Sequence, residues 1–208
     1  MSELFVRTLT GLILIVIALL VAFQGGNVFA LMVAAVATMM FYEWTRLTRG
    51  WGAAWYIGGF LYALVPALAL LWIRERAGIN LLFWAFIVTW STDIGAYFVG
   101  KRFGRRKLAP TISPGKTVEG LFGGIGAATI LGGAWAIWTG LGVAMLALAP
   151  LVAIAAQAGD LFESGLKRRA RVKDSGTWLP GHGGVLDRLD GLVPVAVLTA
   201  AAQLLGLT

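Results

Sequence analysis

Between Gly159 and Asp190 the chain gathers acidic, basic and hydroxyl side chains in a pattern suited to phosphate chemistry. The run opens Gly159-Asp160-Leu161-Phe162-Glu163-Ser164 and continues Gly165-Leu166-Lys167-Arg168. A helix here would set Asp160, Ser164 and Lys167 at i, i+4 and i+7 on one face. Next come Lys173-Asp174, Pro180-Gly181-His182-Gly183-Gly184 and Val185-Leu186-Asp187-Arg188-Leu189-Asp190. Asp187 and Asp190, at i and i+3, would share a helical face as well. Several carboxylates among lysines and arginines suit a hard divalent ion, and Mg²⁺ typically takes one or two carboxylates plus phosphate oxygens. Arg can then hold phosphate bidentately, while Lys offsets its charge. Plain salt bridges would account for the charges alone. The glycines around His182 point instead to a loop whose backbone approaches a ligand, with His182 as a phosphate or base contact or a structural residue.

A second group lies upstream. Asp93 falls inside an apolar stretch, and a carboxylate within a membrane span is a functional candidate by default. Lys101-Arg102 follow, then Ile112-Ser113-Pro114-Gly115-Lys116-Thr117-Val118-Glu119-Gly120. Gly115-Lys116-Thr117 invites a P-loop reading, but that motif needs a glycine where Pro110 stands, and no strand is expected before it. Two other templates fail. There is no G-x-S-x-G elbow to go with His182-Gly-Gly. A single histidine and no cysteine exclude multi-histidine zinc sites, thiolate sites and thiol nucleophiles.

These residues need a scaffold, and composition says which kind. The 208 residues are 59% hydrophobic and 13% charged, against ~45–50% and ~25% in soluble domains. So few charges cannot coat a water-soluble surface, and disorder would need far lower hydrophobicity. A helix needs about 20 apolar residues to span the bilayer. Seven such stretches are expected: Thr8–Phe23, Val28–Thr45, Trp55–Ile73, Ile79–Val99, Gly120–Trp138, Val143–Phe162 and Gly191–Leu207. The predicted class is therefore an all-α polytopic membrane protein, with three N-terminal spans in residues 1–78 and a catalytic membrane domain in 79–208.

Alternating the loops across the membrane puts every one of the 17 basic residues except Arg74 and Arg76 on the side of the N-terminus. That side carries the segments around 46–54, 100–119 and 163–190. The positive-inside rule makes it cytoplasmic, with the C-terminus on the opposite face. The net charge of +7 is then read as loop bias and attraction to anionic lipid, with no nucleic-acid partner. The Gly-rich run Gly120–Gly126 reads as close helix packing, and the tryptophans read as interfacial anchors.

The run from Ser164 to Asp190 resembles the signature of the phosphatidate cytidylyltransferases, or CDP-diacylglycerol synthases. The positions that carry it are Ser164, Lys167, Arg168, Lys173, Asp174, Pro180, Gly181, His182, Gly183, Gly184, Asp187, Arg188 and Asp190. Asp93, Ile112-Ser113-Pro114, Lys116, Thr117, Glu119 and Gly120 are similar too, so the resemblance covers the chain from roughly Trp84 onward. It implies an integral-membrane enzyme that joins CTP to phosphatidic acid, gives CDP-diacylglycerol and releases pyrophosphate. It also implies Mg²⁺, a monovalent cation such as K⁺, and a homodimer. By motif position Asp160 and Asp187 would be metal ligands, with Ser164 and Lys167 lining the same site. Lys167, Arg168, Lys173 and Arg188 would stabilise phosphate charge, with His182 beside them. Ser113, Lys116, Thr117, Asp174, Gly183, Gly184 and Asp190 would complete the substrate site. Asp93 and Glu119 carry no assigned role. Many members of the family begin with further hydrophobic helices that do not stand here, which bears on dimer contacts and the acyl groove.

A CTP-dependent lipid-alcohol kinase of the dolichol or phytol type is the nearest alternative, and the completeness of the Ser164–Asp190 signature favours nucleotidyl transfer. Transport would place acidic residues near mid-bilayer in broken helices, whereas Asp93, Asp160, Asp187 and Asp190 fall toward the cytoplasmic ends. A site joining a dissolved and a membrane-embedded substrate belongs at the cytoplasmic interface, and the compact chain suggests a bacterial inner membrane.

Overall fold

Apolar runs of about 20 residues become helices because the backbone then satisfies its own hydrogen bonds in hydrocarbon. The computed structural model describes residues 3–179 and 181–208, with the side chains of residues 3, 4, 6 and 7 excepted. Pro180 and the Arg7 side chain therefore lie outside the described residues. In order the helices are α1 (Glu3–Gln24), α2 (Gly26–Leu47), α3 (Ala53–Trp72), α4 (Ile79–Phe103), α5 (Val118–Thr139), α6 (Ala144–Arg169), α7 (Leu186–Leu189) and α8 (Leu192–Leu204).

Five helical stretches are long and apolar enough to cross a membrane: 26–47, 53–77, 79–103, 118–139 and 144–169. Thr8–Gln24 and Leu192–Leu204 are shorter apolar helices. The last expected span, Gly191–Leu207, thus shortens to 13 residues, roughly 20 Å of rise at about 1.5 Å per residue. Leu31, Ile130 and Ile137 are each at least 70% exposed, a lipid-facing belt that water would penalise.

Turn chemistry explains the joints. α1 stops at Gly25, whose φ of 66° favours glycine. A π-helical turn, Ile73–Ala77, then clamps that joint from the end of α3. Arg74 donates to the carbonyls of Ala22 and Phe23 at 2.8 and 3.1 Å, and the Glu75 carboxylate accepts from the Gly26 amide at 3.3 Å. These are the orphan groups of two helix ends, satisfied by side chains.

The tightest pairing is α4 against α5, as the glycine run predicts. A Cβ on Gly124 would come within 2.6 Å of the Thr92 carbonyl, and one on Gly95 within 2.6 Å of the Gly123 carbonyl. Backbones this close tolerate only small residues. Around them lies the main core, with Leu81, Trp84, Val88, Ala149, Ala153 and Val195 all buried. A second cluster joins Met40, Trp44 and Leu47 of α2 to Leu166, Val185, Leu186 and Val193. It welds the N-terminal helices to the end of α6 and the loop beyond it.

One expectation is corrected here. The segment 100–119 is not a plain loop but carries a short two-stranded hairpin, within a fold that is otherwise that of an all-α membrane protein. α4 runs on to Phe103, and β1 (Lys107–Ala109) pairs antiparallel with β2 (Ser113–Thr117), Lys107 opposite Thr117 and Ala109 opposite Ser113. A strand therefore does lead into a helix at Gly115-Lys116-Thr117. These residues belong to the strand itself, so no glycine-rich loop intervenes and the P-loop exclusion holds. The Thr117 hydroxyl caps α5 by accepting from the Gly120 amide at 3.0 Å.

Candidate active site

α6 runs unbroken to Arg169, so the expected stripe forms: the Ser164 hydroxyl donates to Asp160 Oδ1 at 3.3 Å, one turn apart. Across from it β2 delivers Lys116, whose Nζ lies 2.6 Å from Asp160 Oδ2 and 2.8 Å from Gln157 Oε1. Gln157 then donates to Asp93 Oδ1 on α4 at 3.4 Å. A cavity of about 530 Å³ opens over this network, lined by Asp93, Lys101, Ser113, Lys116, Gln157 and Asp160 among others. The second sequence group thus converges with Asp160, and Gln157 joins it as a residue that the sequence pattern did not single out.

A second network is built by the loop after α6. Lys167 Nζ lies 2.6 Å from Asp187 Oδ1 and 3.0 Å from Glu163 Oε2. Asp187 Oδ2 accepts from the Ser175 amide at 2.8 Å, the Ser175 hydroxyl at 3.0 Å and the Gly184 amide at 2.8 Å. Gly183, with φ 82°, leaves no room for a side chain: a Cβ would sit 2.8 Å from Asp187 Oδ2 and 3.4 Å from the Asp174 Cβ. Burial alone would raise the Asp187 carboxyl, but the Lys167 ammonium and the two amides outweigh it and hold it below the usual aspartate range. Asp190 goes the other way. Burial and then the nearby Asp160 charge push its carboxyl up to about 6.

Asp187 and Asp190 do not share one environment, as their i, i+3 spacing suggested. α7 is a separate short turn before α8, so Asp187 turns to Lys167 and Ser175 while Asp190 faces Glu163 and Asp160. Glu163 Oε1 is buried with no N–H or hydroxyl donor among the described residues. Carboxylates crowded in this way, with one orphaned oxygen, fit a cation. Among the described residues no three His, Cys, Asp or Glu side chains form a ready metal cage.

The remaining predicted residues are placed as follows. Arg168 donates to the carbonyls of Ile112 and Val172 at 3.1 and 3.4 Å, tying α6 to the hairpin. Arg188 donates to the His182 carbonyl at 3.0 Å. The His182 imidazole lies against α1, since a Cβ on Gly11 would come within 3.2 Å of its Nε2, and His182 is not among the cavity's lining residues. Lys173 and Asp174 are exposed on the loop. Glu119 accepts from the amides of Arg105 and Arg106 at 3.0 and 3.2 Å, so it pins the start of the hairpin. Glu43 on α2, fully buried, accepts from the Val185 and Leu186 amides and the Ser175 hydroxyl. Its signal was present in the sequence, a lone carboxylate inside an apolar span.

Residues 48–205, which hold both networks except Glu43, match the model of the cytidylyltransferase family. The chain belongs to that family. A relative from Brucella suis biovar 1 (strain 1330), named phosphatidate cytidylyltransferase, is 38% identical over 252 aligned positions, covering 95% of this chain and 92% of its own. Proteins of the same name are 45% identical in Bacillus subtilis (strain 168), over 68% of this chain and 52% of theirs, and 41% identical in Pseudomonas aeruginosa, over 80% and 64%. Within this cytidylyltransferase the family match takes in every predicted site residue, from Asp93 to Asp190.

Proposed function

We propose that this membrane protein is a phosphatidate cytidylyltransferase, which condenses CTP with phosphatidic acid to give CDP-diacylglycerol and pyrophosphate. The observation that carries this reading is identity with the Brucella phosphatidate cytidylyltransferase over nearly the whole of both chains. The geometry agrees with it: the Lys116–Asp160 pair lines a cavity of about 530 Å³, and a second pair, Lys167–Asp187, joins the same helix α6 to the loop beyond it.

In the reaction a phosphatidate oxygen bonds to the α-phosphorus of CTP, and the bond from that phosphorus to the bridging oxygen of the β-phosphate breaks. A phosphate monoester is largely ionised at neutral pH, with a second pKa of about 6, so no strong general base is needed. The obstacle is bringing two polyanions into line. Of the two expected ligands, Asp160 has the acidic neighbours that favour Mg²⁺, which when bound would supply positive charge to the CTP phosphates, while Asp187, satisfied by Lys167, Ser175 and Gly184, is proposed as the second ligand. Each of these carboxylates now rests against an ammonium at 2.6 Å. Lys116 and Lys167, the ammoniums beside these carboxylates, would offset phosphate charge. Arg168 at the end of α6, Lys173 on the loop and Arg188 on α7 add charge, and Ser113, Thr117 and Ser164 supply hydroxyls at the cavity edge and along α6.

The charge asymmetry supports seven spans with a cytoplasmic N-terminus and a site at the cytoplasmic face of a bacterial inner membrane, and a homodimer is proposed with it. The test is purified protein in mixed micelles with phosphatidic acid and CTP. Mass spectrometry should find CDP-diacylglycerol and pyrophosphate in equal amounts, abolished by EDTA and restored by Mg²⁺, with K⁺ titrated alongside. Equal turnover in EDTA would end the metal reading, and a phosphorylated lipid with CDP would end the cytidylyltransferase reading.

A further inference from the structure

The region matched by the family model begins at residue 48, so α1 and α2 lie before it. Yet α2 places a fully buried carboxylate, Glu43, into the loop that holds Asp187. Glu43 Oε1 accepts from the Val185 amide at 2.9 Å. Oε2 accepts from the Leu186 amide at 2.8 Å and the Ser175 hydroxyl at 2.9 Å. Among the described residues no Lys or Arg pairs with it. A buried charge is expensive, and hydrogen bonds to it must supply what an ion pair would. An apolar residue at this turn of α2 would avoid that cost, so the carboxylate needs a reason in the loop.

The reason lies in what the three donors do next. Ser175 is shared: its hydroxyl lies 2.9 Å from Glu43 Oε2 and 3.0 Å from Asp187 Oδ2. With one proton it can serve only one of them at a time, so the two carboxylates are coupled through it. Val185 and Leu186 immediately precede Asp187, and Leu186 opens α7. The chain of contacts therefore runs from Glu43 through Ser175, Val185 and Leu186 to Asp187, and from Asp187 to Lys167 at 2.6 Å. Gly176 and Gly184 both pack against the Glu43 carboxylate, where any Cβ would overlap it.

We infer that Glu43 is a positioning residue for nucleotidyl transfer: from α2 it fixes the backbone at Ser175 and Val185–Leu186 and so sets Asp187 and Lys167 for the phosphates. This rests on the activity proposed above. It makes α2 part of the working site rather than a membrane anchor. Glu43→Gln keeps the shape but turns an NH₂ toward donors, so it cannot satisfy all three.

The experiment compares full-length wild type, Glu43→Gln and Ser175→Ala, each shown to be folded by gel filtration and thermal melting. Glu43→Gln should lower kcat about 10- to 100-fold, the range for residues that orient a ligand shell, with KM for CTP and phosphatidate near wild type. Ser175→Ala should lower kcat in the same way, and serves if Glu43→Gln does not fold. Hydrogen exchange gives a readout independent of activity: the Val185 and Leu186 amides should exchange at least about tenfold faster in Glu43→Gln while hairpin amides do not change. A folded Glu43→Gln with kcat within twofold of wild type, or with unchanged exchange at 185 and 186, overturns the inference. A wild type that transfers nothing would instead sink the activity, and the exchange result would still decide whether Glu43 holds the loop.

Discussion

Asp187 is the residue on which both the loop and the charge balance turn, since it ties Lys167, Ser175 and Gly184 together with four contacts of 2.6–3.0 Å. Asp187→Asn should leave an inserted, folded protein with kcat reduced on the order of 100-fold. Near-normal turnover in that variant would remove Asp187 from the site. Lys116→Ala should raise KM for CTP, because Lys116 is the cavity's ammonium nearest Asp160; unchanged KM values and rate would make the hairpin structural only. Asp190 gives a pH signature. Its folded pKa of about 6 exceeds the ordinary 3.8, so its contribution to stability is complete below 3.8 and is lost as pH rises through 6. Asp187 is shifted down, so its contribution is lost only as pH falls below the ordinary value. Without divalent cation the melting temperature should therefore rise from pH 7.5 to pH 5, and Mg²⁺ at pH 7.5 should recover part of that rise. A flat profile would contradict the burial assigned to Asp190. At this scale the sequence carried the Asp160–Ser164–Lys167 stripe, because helical spacing is local. It could not carry Lys167–Asp187 or Lys116–Asp160, which are joined across 20 and 44 positions by folding alone.

Among the elements, the α4–α5 pair sets the cavity floor, with Asp93 on one helix and Thr117 capping the other. Gly124→Val would drive a branched side chain into the Thr92 carbonyl, and overpacking of this kind costs about 1–3 kcal/mol. Its thermal midpoint should fall with activity lost in step; a midpoint equal to wild type would mean that the helices are not this close. Hydropathy made the long helices readable, with ends displaced by a few residues. The hairpin was not readable, because Ser113-Pro114-Gly115-Lys116-Thr117 has neither strand alternation nor a β-branched residue before Thr117. It is held instead by Glu119, which accepts from the Arg105 and Arg106 amides.

For the molecule as a whole, the charge map reaches furthest. Five helices are long enough to span, and the proposal of seven spans rests on the basic residues, which alternation of the loops puts on one side with the exception of Arg74 and Arg76. Those two sit on the π-helical turn at the other end of the bundle. Reporter tags at the two termini should be found on opposite faces of the membrane; tags on the same face would contradict seven spans. The polar networks, by contrast, gather at the ends of α2, α4 and α6 that lead into the basic segments. A dissolved nucleotide and an embedded lipid can meet there.

The most direct measurement follows each phosphorus of CTP into the lipid phase. Purified protein in micelles of phosphatidic acid with Mg²⁺ would be given CTP labelled at the α or at the γ phosphate. A phosphatidate cytidylyltransferase moves the α label into lipid and releases the γ label as pyrophosphate, with both lost in Asp187→Asn. The γ label in lipid, or no transfer from either position by folded wild-type protein, would contradict it.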